Sequence, residues 1–337
     1  RELKYQTTGT NAIDDSTLVL NYSWADDANG AFLQMLAISK SGHWFQVRPL
    51  RPRLDTLLAA HVTALRAGSR PGDDGSLWEL LLPDGAKGAL HTKLIIIPDG
   101  PLNALPCERF RVKEEVGGYG WLDDRFTIQY EYCLTFVADT ARHEHTGDLF
   151  ALAPSFTAGD TSWPALADEG SLKQVARSYL RSGPGVLTEN VNEVMRLVEL
   201  FPGETMTGTF INEEKMSRAL AQRGVLHFAT HAVNSARRPE LSGILLSAAT
   251  GDSLRAGTDS TDLIRHDGVL HAYEIQSMDL PADLVVLSAC ETAVGKNRLG
   301  EGAMSLARAF KYAGAKSIVS SLWKVDDLAT KEIMVKF

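Results

Sequence analysis

From Asp148 to Trp323 the chain alternates short apolar runs with amphipathic stretches, and this alternation restricts the fold more than any other feature. DLFALAP (148–154), TMTGTF (205–210), GVLHFATH (224–231), DLVVLSAC (283–290) and KSIVSSLW (316–323) read as strands. Helical spacing recurs at Leu172 to Leu180, at Glu193 to Leu200, at Glu213 to Arg223 behind an Asn212 cap, and at Glu301 to Ala313. Gly314 stops that fourth helix, and Asp326 and Asp327 open a last one. Strand and helix in turn predict an α/β fold, a mostly parallel sheet with helices on both faces.

The first third is β-rich. STLVLNYSW (16–24), AFLQMLAIS (31–39) and HWFQVRPL (43–50) read as strands, the last two close enough to form a hairpin around Lys40 to Gly42. A helix is expected from Leu54 to Ala67, then a loop, SRPGDDGS (69–76), with Ser76 capping the short helix LWELLLP. LIIIPDG (94–100) is apolar throughout, as in a strand buried on both faces, and Asp99 and Gly100 form a turn behind it. TIQYEY (127–132) is one more strand, and the polar run Arg142 to Gly147 sets a domain boundary. The domains are expected at 1–146 and 147–337.

The formal net charge of -8, with no long basic cluster, argues against a nucleic-acid surface. No apolar run is long enough to span a bilayer, so no membrane partner is expected, and three widely spaced cysteines read as reduced thiols of a cytoplasmic protein. The chain opens on Arg1 and is read as a fragment. Its 3 cysteines, Cys107, Cys133 and Cys290, suit neither a disulfide framework nor a zinc site, so no metal and no cofactor is expected.

In an open α/β sheet the site lies beyond the carboxyl ends of the strands. Two strands end there on a reactive residue: VLHFAT runs into His231, and LVVLSA runs into Cys290. If they are parallel neighbours, both side chains emerge at one edge. A thiol needs a nearby base to become a nucleophile, and imidazole serves. Taken singly, the histidine reads as a loop residue and the cysteine as a packed thiol; the pairing makes them a candidate dyad. His227 sits four positions before His231 on a strand, about 13 Å away, too far to share a metal, and reads as packed. The remaining histidines form no ligand spacing, and Cys107 and Cys133 read as buried thiols. GKNRLGEG (295–302) lacks the ending of a phosphate-binding loop and reads as a flexible loop beside the site.

The strings HFATHA, LVVLSACETAVG, GEGAMSLARAF, AGAKSIVSSLW and KVDD, in this order, resemble the CHAT domain, a caspase-like domain often joined to TPR repeats. LIIIPDGPLNALPCE (94–108) is similar to an earlier signature of that family. The resemblance covers nearly the whole chain. It implies a clan CD cysteine peptidase related to caspases and separase, with an N-terminal pseudo-caspase half and a C-terminal catalytic half. DLFALAP, VLHFATH, LVVLSAC and KSIVSSLW match the first, third, fourth and fifth strands of the catalytic half. The catalytic histidine matches His231 and the nucleophile Cys290. The oxyanion donors match the backbone N–H groups of Cys290 and Ala232. The family usually has glycine at the latter position, and alanine would matter if positive φ were required. A protein substrate, a regulatory partner or upstream TPR-type segment, and a setting in bacterial defence are also implied.

The pocket for the residue before the scissile bond matches Trp323, Lys324, Asp326 and Asp327. Asp327 stands at the offset from tryptophan where separase carries an aspartate for arginine; capping of the last helix is the other reading of Asp326 and Asp327. Lys324 resembles a caspase arginine that favours acidic residues. The polar run TGDSLRAGTDSTDLIRH (250–266) is either a surface insertion or a self-cleaved loop with Arg255 or Arg265 as the cut site. The family continues beyond Phe337, so the final element is expected to be incomplete. Two other functions stay open on the residues: a catalytically silent interaction module, and a different thiol-dependent acyl transferase or hydrolase.

Overall fold

A computed structural model describes residues 13–27, 30–49, 52–69, 76–86, 91–113, 117–138, 148–155, 187, 189–208, 211, 213–233, 239–246, 269–288, 296–298, 302–322 and 327–337. The chain divides into two compact units, residues 1–142 with 297–303, and residues 143–296 with 304–337.

The first unit holds a five-stranded mixed sheet in the order β3-β2-β1-β4-β7. Its strands are β1 (Thr17–Asp27), β2 (Gly30–Ser39), β3 (Gly42–Pro49), β4 (Lys93–Ile97) and β7 (Thr127–Tyr130). β1, β2 and β3 form an antiparallel meander, and Ser39 opposite Gly42 makes the expected tight hairpin. β4 runs parallel to both β1 and β7. Alternation explains its unbroken apolar run. Leu94 and Ile96 join one core with Leu18, Leu20, Tyr22 and Trp24, while Ile95 and Ile97 face a second core with Val19 and Ile13. The helices are α1 (Pro52–Arg66), α2 (Ser76–Leu81) and α3 (Leu134–Ala138), and β5 (Arg111–Lys113) pairs with β6 (Tyr119–Trp121). The turn after β4 is more than a reversal. Buried Asp99 accepts the Trp24 N–H at 2.8 Å, and Gly100 takes a φ of 58° with Trp24 where a Cβ would stand.

The second unit holds five strands that are all parallel: β8 (Leu149–Pro154), β9 (Gly203–Gly208), β10 (Val225–Ala229), β14 (Leu284–Ser288) and β17 (Ser317–Ser320). Their order is β17-β14-β10-β8-β9, so the winding reverses between β8 and β10. Around them lie α4 (Asn190–Leu200), α5 (Glu213–Leu220), α6 (Ala272–Ser277), α7 (Leu306–Tyr312) and α8 (Asp327–Lys336). β10 shows helices on both faces. Ala229 packs in a cluster with Val194 and Leu197 of α4. Phe228 points the other way and meets Phe310 of α7, with ring centroids 5.3 Å apart. A small antiparallel sheet, β11 (Ala232–Val233), β12 (Gly243–Leu245) and β13 (Val269–His271), follows β10.

Three local expectations change. Residues 302–304 are not helical: β16 (Gly302–Met304) and β15 (Lys296–Arg298) form a two-stranded sheet, where a loop and a helix start were expected. The helix begins later because Ser305 caps it, its hydroxyl accepting the Arg308 N–H at 3.2 Å. It stops as expected at Gly314, whose φ is 116°. α5 ends at Leu220 rather than Arg223, and Arg223 instead ties the bases of two strands, at 3.3 Å to Asp148 and 3.0 Å to Glu204. Cys133 is half-buried rather than buried, whereas Cys107 is buried. The helix over 172–180, the Asn212 cap, the 142–147 boundary and the run 250–266 lie outside the described residues.

Candidate functional site

β10 and β14 are the parallel neighbours that the strand-end argument requires. Their register runs from Val225 opposite Leu284 to Ala229 opposite Ser288. His231 stands two residues beyond Ala229, and Cys290 two residues beyond Ser288 in the sequence. Cys290 itself lies outside the described residues, as do Trp323, Lys324 and Asp326; Asp327 is the first residue of α8, and its side chain is not described.

The segment leading into His231 is held from three directions. Thr230 donates its N–H to the carbonyl of Ser288 at 3.3 Å, which carries the β10–β14 pairing one step further. Its hydroxyl donates to the Leu245 carbonyl at 2.6 Å. The Leu245 N–H in turn donates to the His231 carbonyl at 2.9 Å. From α4, the Asn190 side-chain amide donates to the carbonyls of Pro154 at 2.8 Å and Ala229 at 3.2 Å. Asn190 thereby joins the carboxyl ends of β8 and β10 where the winding reverses. His231 is half-buried and Thr230 fully buried.

Ala232 is buried and extended. It lies in β11 opposite Ile244, in ordinary strand backbone that any residue adopts. Because the His231 carbonyl accepts from Leu245, the Ala232–Ile244 pair is of the non-hydrogen-bonded kind. The Ala232 N–H therefore points away from β12.

Beneath this edge lies a buried pair that the sequence reading did not foresee. His227, expected to be packed, is buried on β10, and its Nε2 lies 2.6 Å from Oε1 of Glu193 on α4. Asn190, Glu193, Val194 and Leu197 form the buried stripe of α4 at helical spacing. The signal was visible in that stripe: two polar residues on a face that otherwise packs need buried partners. At the same helix start, Glu189 pairs with Lys331 of α8 at 2.7 Å, and that contact first, then Asn192, holds its carboxyl below its usual 4.5.

Elsewhere, burial and the nearby Glu108 carboxyl push the Cys107 thiol up to about 12, so it is not a nucleophile at neutral pH. Among the described residues no three His, Cys, Asp or Glu side chains gather closely enough to hold a metal ion. No described helix is long and apolar enough to cross a membrane.

The family model of the CHAT domain matches residues 70–337. The chain belongs to the CHAT-domain family. Tetratricopeptide repeat protein 28 of mouse is 24% identical over 294 residues, 78% of this chain and 11% of that protein. Its human counterpart is 24% identical over 289 residues, with the same shares. The CHAT chain thus spans about a tenth of the curated relatives it matches. The five-stranded parallel sheet flanked by helices agrees with the caspase-like architecture of this peptidase-related family.

Proposed function

We propose that this CHAT domain is a cysteine endopeptidase in which Cys290 is the nucleophile and His231 its base. The observation that carries the reading is the β10–β14 register. Parallel neighbours about 4.8 Å apart, ending with Ala229 opposite Ser288, are each followed two positions later by one member of the dyad. The reversal of winding between β8 and β10 supports a substrate crevice at that edge.

In the proposed mechanism the Cys290 thiol gives its proton to His231, and the thiolate attacks the scissile carbonyl carbon. A C–S bond forms, and the electron pair moves to the carbonyl oxygen. The N–H of Ala232, turned away from β12, and that of Cys290 stabilise the oxyanion. The His231 imidazolium then protonates the leaving amine as the C–N bond breaks. Water, deprotonated by His231, hydrolyses the thioester and returns the thiol.

Residues 1–146 are taken as the pseudo-caspase half and 147–337 as the catalytic half. Trp323, Lys324, Asp326 and Asp327 are taken as the substrate pocket, with a preference for basic or uncharged residues before the cut. The names of the animal relatives support regulation through a tetratricopeptide-type segment or partner. A cytoplasmic setting in bacterial defence rests on the family resemblance.

A peptide acyloxymethyl ketone probe tests the assignment. Wild type is expected to form a covalent adduct at Cys290, while C290A and H231A do not. Folded wild-type protein that takes no label at Cys290, even with its activator present, overturns it.

A further inference from the structure

The hydroxyl of Thr230 has a role that strand geometry alone does not require. Thr230 follows the last residue of β10, and its backbone N–H already continues the sheet to Ser288. Its buried hydroxyl reaches the carbonyl of Leu245 at 2.6 Å. The N–H of the same Leu245 reaches the His231 carbonyl at 2.9 Å. One buried residue of β12 is therefore gripped through both its donor and its acceptor by the two consecutive residues Thr230 and His231. The two bonds close a ring that fixes the peptide plane between Thr230 and His231, and with it the direction in which the His231 Cα–Cβ bond leaves the sheet. The same ring ties the small β11–β13 sheet, with Ala232, to the end of β10.

We infer that Thr230 is the positioning residue of His231, its hydroxyl locking the imidazole and the Ala232 N–H into one arrangement through Leu245. The inference rests on the Cys290/His231 reading and deepens it. Thr230 touches neither substrate nor reacting atoms; it acts through the backbone. Removing the hydroxyl leaves a buried carbonyl without that donor and opens the ring that sets the Thr230–His231 peptide plane. A misplacement of about 1 Å costs on the order of a hundredfold in rate.

The test follows Cys290 labelling by the acyloxymethyl ketone across pH in wild type, T230V and T230S, with a thermal melt of each. T230V, close in shape but without the hydroxyl, is expected to label roughly 10- to 100-fold more slowly. The pH midpoint of its labelling is expected to rise toward the value of a free thiol, about 8.5, because a drifting imidazolium no longer stabilises the thiolate. T230S keeps the hydroxyl and is expected to keep both the rate and the midpoint. A purely structural role would lower the melting temperature of T230V and leave the midpoint in place, and that result overturns the inference. So does equal slowing of T230V and T230S, which would point to the methyl group. If T230V does not fold, T230A removes the same hydroxyl and is judged by the same two readouts. A wild type that never labels refutes the peptidase reading and takes this inference with it. A wild type that labels beside an unchanged T230V refutes the inference alone.

Discussion

Replacing Glu193 by alanine takes one partner from a pair that has no access to water. Glu193 is 1% exposed and His227 3% exposed, with 2.6 Å between Oε1 and Nε2. Losing the carboxylate leaves the Nε2–H donor buried and unpaired. A neutral donor stranded in this way costs about 1–3 kcal/mol. Removing one side of a buried ion pair costs about 3–5 kcal/mol. The two ranges meet near 3 kcal/mol, which is the expected loss. At about 2–4 °C per kcal/mol for a unit of this size, the melting temperature should fall by roughly 6–12 °C. Glu193→Gln keeps an acceptor for Nε2–H and should lose only about 1 kcal/mol. Replacing both residues by leucine removes the unpaired group and should recover most of the E193A loss. Scanning calorimetry of the four proteins reads all three expectations. An E193A protein within about 0.5 kcal/mol of wild type, the range of ordinary surface changes, would refute the reasoning.

Other outcomes follow from the same geometry. The Glu189 carboxyl is held below its usual 4.5 chiefly by Lys331, so the pair adds stability above that value and loses it as pH falls through the lowered folded-state value. K331M should therefore be less stable than wild type above about pH 4.5, with the difference closing as pH falls below that value, as urea titrations across pH would show. With Cys107 at about 12, only roughly one thiol in ten thousand is ionised at pH 8, so iodoacetamide should spare it in the folded protein and modify it after denaturation. Peptide mass mapping reads the difference, and rapid native modification of Cys107 would contradict its burial. Ala232→Gly should not speed Cys290 labelling, because the residue already sits in extended strand backbone; a large gain would mean that a positive φ is needed there.

The pattern of the chain was enough to predict the parallel sheet, the burial of LIIIPDG on both faces, the hairpin at Lys40 to Gly42 and the strand that delivers His231. These depend on local periodicity, on turn chemistry and on apolar runs too short to be anything but buried strands. The ordered motifs were enough to mark the family. The spacing of residues 302–304 also suits a helix, and only the Ser305 cap shows where that helix starts.

The surroundings of His231 were a different matter. Asn190 and Glu193 look like ordinary polar residues in a sequence that needs a helix, and nothing local says that one joins Pro154 to Ala229 while the other meets His227. Leu245 lies 15 residues from Thr230, beyond the turn that brings β12 back. Such bonds depend on which strand lies beside which, and strand order is set by long-range packing that no sequence window contains. The sequence by itself therefore determined which reactive residue follows β10 and what chemistry it offers. Only the tertiary structure decided what holds it there, because backbone carbonyls find their partners across elements rather than along the chain.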